Sequence, residues 1–286
     1  MYKKSIKENS KYLMPFVIGV KYYGSDEIDH GIGTMMILND HGDILTCKHI
    51  ADRFIANEEL GSKYKTIISK LKNANNRERK KIEKEYNLKD DSVVLSNINL
   101  PFRGNGDLKI DIILHNKLDI AIIRFNGVKT KCERYPIFSK TLPEQGQSVC
   151  KLGYAFPEYS FFEYSHKLDT IVLKDKVIDN FPLFPMDGIV TRLVMDEDNN
   201  LSMFETSSPG LRGQSGGPIF SPEGLVYGMQ SMTGHLDLNF DVNQVVKRGY
   251  KEKMVNFTPF INLGIGVSST EIIKFLKDNN IEFNSK

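Results

Sequence analysis

Residues 210–228 read GLRGQSGGPIFSPEGLVYG, and six of these nineteen positions are glycine. Glycine reaches backbone angles that other residues resist, and it costs entropy to order. Pro218 removes a backbone donor just downstream. Such residues weaken a helix or a strand, yet here they crowd around one serine, Ser215. A surface turn accounts for them. So does a nucleophile held on a special backbone. Downstream of the serine comes a hairpin pattern, PIF and LVYG around Ser221-Pro222-Glu223-Gly224.

Outward from this stretch, the chain is built of short apolar runs bounded by Gly, Pro, Asn or Asp. FVIGVKYYG, GTMMILND, DILTCKHI, LDIAIIRF, SVCKLGYAF and LGIGVSS are among them. Evenly spaced short runs predict a β-barrel or sandwich. MMILNDHGDILTC predicts another hairpin, turning at residues 39–43. Two stretches differ. Residues 57–88 carry Leu60, Tyr64, Ile67, Ile68 and Leu71 at helical spacing and then the charged RERKKIEKEY. They predict an inserted helical hairpin or one interrupted helix, with a solvated face or a docking surface for a partner. SSTEIIKFLKDNN predicts a C-terminal helix over 269–280, capped by Ser-x-x-Glu, with Ile272, Phe275 and Leu276 as its apolar stripe. No second domain or linker is visible in the pattern.

Composition narrows the function classes. A chain of 286 residues, 40% hydrophobic and 26% charged, has ordinary globular make-up. A net charge of +2 is too weak to argue for nucleic acid or an anionic membrane. No apolar run reaches a membrane span, and the first twenty residues lack a secretory pattern. Cys47, Cys132 and Cys150 are an odd count at wide spacing, so neither a disulfide framework nor a metal motif is expected. These features suit a cytoplasmic protein without cofactor or metal.

A serine hydroxyl becomes a nucleophile at neutral pH only beside a base that is itself oriented by a third group. Among six histidines, His49 stands apart because it directly follows an apolar strand, in DILTCKHIADRF. His235, twenty residues after Ser215, competes with it. Asp119 leads into the strand AIIRF, where an unpartnered acid would be costly to bury, and Asp111 is the runner-up. GQSGG also satisfies G-x-S-x-G, the strand–turn–helix elbow of α/β-hydrolases. That design needs a helix after the serine and the order serine, acid, histidine. Here a hairpin succeeds the serine and the order is His49, Asp119, Ser215.

These segments together resemble the trypsin-like (chymotrypsin-fold) serine peptidases, nearest to the HtrA-type branch without its PDZ domain. GIGTMMILNDHGDILTCKHIAD is similar to the histidine block, LDIAIIRF to the aspartate block, and GQSVCKLGYAFP to a glycine-bounded strand of that family. GLRGQSGGPIFSPEGLVYGMQS is similar to the nucleophile block, and INLGIGVSSTEIIKFL to the last strand and helix. The resemblance implies a mainly β chain forming a single peptidase unit of two six-stranded antiparallel barrels. The N-terminal barrel, 12–130, carries His49 and Asp119 with the helical insertion at about 57–90. The C-terminal barrel, 131–286, carries Ser215. His49 is then the general base, Asp119 its orienter, and the N–H groups of Gly213 and Ser215 the oxyanion hole. Leu211, Arg212, Ser231, Met232, Thr233 and Gly264 are expected to bind substrate, with Pro209 beside them and an uncharged side chain preferred. Gln214 stands where zymogen-activated relatives carry an aspartate, so activation by a freed N-terminus is not expected. The segment 235–260 is read as a rim over the cleft or a surface excursion. The implied activity is intracellular endopeptidase action on proteins or peptides. It is either constitutive or latent until a partner binds through 57–90, and a stress or phage-defence role rests on analogy alone. The alternative is a catalytically silent protease-fold scaffold.

Overall fold

The computed structural model describes residues 1–100, 109–130, 132–155, 162–174, 181–195 and 201–286. A short helix α1 (Lys3–Asn9) precedes the first sheet. That sheet is made by β1 (Leu13–Tyr22), β2 (Ile28–Ile37), β3 (Asp43–Thr46), β4 (Val93–Asn99), β5 (Ile110–Leu114) and β6 (Ala121–Phe125). All neighbours run antiparallel in the order β4-β1-β2-β3-β6-β5, a half-barrel. The expected hairpin joins β2 and β3, closed by Leu38 N–H donating to the Asp43 carbonyl.

The second sheet begins with β7 (Ile137–Phe138) and β8 (Ser148–Tyr154), and a separate ribbon is formed by β9 (Phe162–Ser165) and β10 (Thr170–Leu173). Then come β11 (Leu183–Met195), β12 (Leu201–Thr206), β13 (Pro218–Phe220) and β14 (Val226–Asp237). After a projecting hairpin of β15 (Val242–Arg248) and β16 (Lys251–Phe257), β17 (Phe260–Ser268) returns to the sheet. Strands 13, 8, 11, 12, 17 and 14 are neighbours in that order, and β13 also pairs with β14, so these six close into a barrel. The terminal strand β18 (Asn284–Ser285) and β7 extend it in parallel.

The helices match the sequence pattern, with one revision of boundary. α2 (Lys48–Lys72) starts at Lys48 rather than near residue 57, because no proline interrupts 48–72. Its buried residues fall in two groups at helical spacing, Ile50, Ala51 and Phe54 against the main core and Tyr64, Ile67 and Leu71 against smaller clusters. α3 (Asn76–Glu85) is set by a capping box in which Asn75 and Glu78 satisfy each other's backbone donors. The two helices form a hairpin, as the spacing suggested. α4 (Ser269–Asp278) is capped by Ser268, which accepts from Glu271 N–H, and buries Ile272, Ile273, Phe275 and Leu276. One apolar core spans both sheets. It joins Met35, Leu45 and Ile122 to Leu152, Phe220, Met229, Val267 and Leu276.

Candidate active site

The register of the half-barrel delivers the base and the acid. Thr46, the last residue of β3, is opposite Ala121, the first of β6. The residues just after one and just before the other therefore lie side by side. Cys47 is the N-cap of α2, so His49 stands in that helix's first turn. The Asp119 carboxylate receives His49 Nδ1 at 2.9 Å and the His49 backbone N–H at 3.0 Å. A third donor comes from the other sheet, Ser231 Oγ at 2.6 Å. Burial pushes the Asp119 carboxyl up, but the hydrogen bonds from His49 and Ser231 outweigh it and hold it down at about 2. An ionised Asp119 accepts, so Nδ1 is the donor and Nε2 is left free to take a proton. The His49 side chain is 53% exposed. The loop holding Asp119 is shaped by His115, whose Nδ1 accepts from the N–H groups of Lys117 and Leu118. Asp111 lies elsewhere, bonded to Asn126, and His235 bonds Asn262.

The serine comes from the closed barrel. Ser215 Oγ donates to the Ser231 backbone carbonyl at 3.0 Å. Among the described residues no hydrogen bond joins it to His49. Its loop is fixed by Gln214 N–H to the Leu211 carbonyl, Gly216 N–H to the Gln230 carbonyl and Gly217 N–H to the Gln214 carbonyl. The N–H groups of Gly213 and Ser215 have no partner among the described residues. They are the pair expected as oxyanion donors. Gly213 has φ +99°, and a Cβ there would collide with the Tyr154 carbonyl oxygen. Only glycine fits.

Thr34 of β2 ties this loop to the base side. Its N–H donates to the Ser215 carbonyl at 2.9 Å and its Oγ1 to the Gly213 carbonyl at 2.7 Å, while Oγ1 accepts from Tyr154 N–H. Nothing in the sequence around Thr34 announces that role. Gln214 is fully buried, its amide accepting from Leu211 N–H and donating to the Phe184 carbonyl. A neutral side chain thus braces the loop where an ion pair serves the zymogen-type members. Cys47 is also fully buried, and burial raises its thiol well above the ordinary range. Its sulfur lies near His49 and Asp119, a set that could hold a metal in principle. Here the thiol is kept protonated, and both Asp119 oxygens are already committed.

The expected substrate-binding residues divide. Met232 is 46% exposed on β14, and Thr233 Oγ1 donates to the Gly210 carbonyl at 2.7 Å. Gly264 sits opposite Thr233. Leu211 joins the loop's own turn. Ser231, expected to bind substrate, also supports Asp119 through its hydroxyl. Arg212 reaches away to the His30 carbonyl and borders a groove of about 300 Å³ shared with Gly31, Ile32, His49 and Arg53. Lys151 was not anticipated. Its ammonium, 1% exposed, donates to Thr206 Oγ1 and to the carbonyls of Ser208 and Pro209, and lies where a Gly264 side chain would go. Burial lowers its pKa to about 7. In the sequence it is one lysine inside SVCKLGY, with no local sign that it turns inward.

The family model described as a trypsin-like peptidase domain matches residues 33–229. Those residues include every group of the site just described except Gly264, the later part of β14 and the first residues of the groove. No curated protein sequence matches the chain. Among solved structures, a serine endoprotease from Yersinia pestis is similar at 13% identity and a TM-score of 0.48, over 97% of this chain and 66% of that one.

Proposed function

From the chain's membership of the trypsin-like peptidase family, we infer that it is a serine endopeptidase in which Ser215 attacks the peptide carbonyl and His49 is its general base. The observation that carries this reading is the convergence at one place of three parts. These are an ionised carboxylate fixing His49 by Nδ1, a serine bonded to the same Ser231 whose hydroxyl holds that carboxylate, and two uncommitted N–H groups on the serine's own loop. Ser215 Oγ leaves the Ser231 carbonyl, gives its proton to Nε2 and bonds the substrate carbon. The developing oxyanion is received by the N–H groups of Gly213 and Ser215, each such donor contributing about 2.7–4 kcal/mol to the transition state. The His49 imidazolium, stabilised by Asp119, then protonates the leaving amine, and water clears the acyl-enzyme by the reverse route.

The bond from Ser215 to Ser231 favours a latent ground state over a constitutive one. Turning Oγ toward His49 requires breaking it. Since α2 carries His49 in its first turn and continues to Lys72, a protein docking on the 57–88 hairpin acts on a rigid extension of the base. Three free cysteines fit a reducing, intracellular setting.

An alkyl fluorophosphonate tests the chemistry with the purified protein. One adduct on Ser215, lost in Ser215→Ala, is expected, and casein cleavage disappears with it. Casein cleavage by Ser215→Ala at the wild-type rate overturns the reading. Faster labelling in lysate of the native cell is the expected mark of latency.

A further inference from the structure

We propose that the projecting ribbon of β15 and β16 in one copy of the chain docks on the exposed face of α2 in a second copy. This association goes beyond the peptidase reading and does not depend on it. Among the described residues the ribbon joins no other sheet. β15 and β16 pair only with each other, from Val242 opposite Phe257 to Arg248 opposite Lys251. A lone two-stranded ribbon is at best marginally stable in water, so a covering surface is expected. Gly249 turns the chain at its tip with φ +62°, and Tyr250 beside it stands fully exposed.

Pleating sorts the side chains of β16. Lys251, Lys253, Val255 and Phe257 alternate onto one face, and Glu252, Met254 and Asn256 onto the other. Glu252 is matched by Lys247 at 2.7 Å. Lys251 and Lys253 are exposed and have no carboxylate partner among the described residues. Phe257, at the far end of their face, is exposed as well. The face therefore offers two uncommitted ammonium groups followed by an apolar end. It fits a partner that sets carboxylates beside an apolar residue.

α2 carries such a surface. Asp52, Ile55, Glu58 and Glu59 recur at three- and four-residue steps, which puts them on one side of the helix. All four are exposed, and none of the three carboxylates has an ion pair among the described residues. Ile55, Glu58 and Glu59 line an open recess with Ser62, Thr66 and one cation, Lys63. The spacings correspond. Lys253 and Val255 are about 7 Å apart along the strand. Ile55 precedes Glu58 and Glu59 by one turn, about 5.4 Å. With Val255 laid on Ile55, Lys253 and Lys251 run toward the two glutamates. An anionic lipid or a nucleic acid would also satisfy the lysines, but it would leave the carboxylates of α2 unmatched. A second copy satisfies both sets, and in a two-fold pair each contact is made twice.

The test reads mass rather than activity. Sedimentation velocity of the full chain at low salt is expected to show a species of twice the 32.6 kDa chain mass, dissociating as salt is raised. Lys251→Glu with Lys253→Glu, and separately Glu58→Lys with Glu59→Lys, should each weaken the association about a hundredfold or more. All four positions are exposed, so circular dichroism should stay native in both variants. An equimolar mixture of the two variants should restore the dimer, because reversed ribbon then meets reversed helix and native ribbon meets native helix. A wild type that stays monomeric at about 100 μM, a concentration at which a contact of micromolar affinity is formed, overturns the proposal. So does a dimer indifferent to either reversal, or a mixture that fails to re-form it. Monomeric wild type carried down by phosphatidylglycerol vesicles would give the ribbon to a lipid surface instead.

Discussion

The two halves of the site are prepared to different degrees. On the half-barrel side, His49 and Asp119 are locked by two mutual hydrogen bonds and a third from Ser231 across the molecule. On the closed-barrel side, the loop is rigid but its hydroxyl is turned to a carbonyl. Under the proposed mechanism the difference puts the restraint at Ser215: His49 and Asp119 are already joined, the N–H groups of Gly213 and Ser215 have no partner among the described residues, and the serine hydroxyl has first to leave the Ser231 carbonyl. Breaking either half should therefore have unequal consequences.

The largest effect is expected on the ready half. Asp119→Asn keeps the shape but leaves His49 Nδ1 facing an amide, which favours the wrong tautomer. A fall in kcat of about ten-thousandfold is expected with the fold intact by circular dichroism, the size the serine-protease template shows for this change. A fall below tenfold would mean that Asp119 is structural. The same residue carries a pH signature. Its folded pKa of about 2 lies below the ordinary carboxylate value, so it stabilises the fold above pH 4. That contribution is lost as pH falls through 2, and Asp119→Asn should remove this part of the acid limb.

A smaller effect is expected where the halves are tied. Thr34→Val strips the Tyr154 N–H and the Gly213 carbonyl of their shared partner at a fully buried position. A loss of about 1–3 kcal/mol in urea unfolding is expected. Fluorophosphonate labelling should fall as well, because Gly213 is no longer held, and Thr34→Ser should restore both.

The smallest, counted per pH unit, concerns Lys151. Its pKa is lowered to about 7 in the fold, so between pH 7 and the ordinary lysine value of 10.5 the unfolded chain binds the extra proton. Stability contributed at this site therefore rises with pH in that window, by up to about 1.4 kcal/mol per pH unit. The difference in urea midpoint between wild type and Lys151→Met should change steadily as pH is raised from 7 to 10, in favour of wild type. A constant difference would mean that Lys151 stays charged throughout.

Much of this organisation is legible from short patterns. The hairpin after Ser215, the turn at 39–43 and the cap of α4 rest on local turn and capping chemistry, and the structure has them where the residues place them. A barrel or sandwich is legible too, because short apolar runs bounded by turn residues repeat along the chain, and the family resemblance is what selects the barrel. The start of α2 is not, because the helix simply runs on from the turn that holds His49, and no residue marks a boundary at 57. Thr34, Ser231 and Lys151 escape notice for a different reason. Each acts through partners more than fifty residues distant, from Ser208 for Lys151 to Gly213 for Thr34. A threonine or lysine within a strand carries no local mark of what lies across a barrel interface.

If Ser215 becomes nucleophilic only through His49, the rate of fluorophosphonate adduct formation at Ser215 must depend on that imidazole. At about pH 8, with both proteins folded, a single Ser215 adduct is expected in wild type and a rate at least about a hundredfold lower in His49→Ala. Equal rates in the two proteins would contradict it.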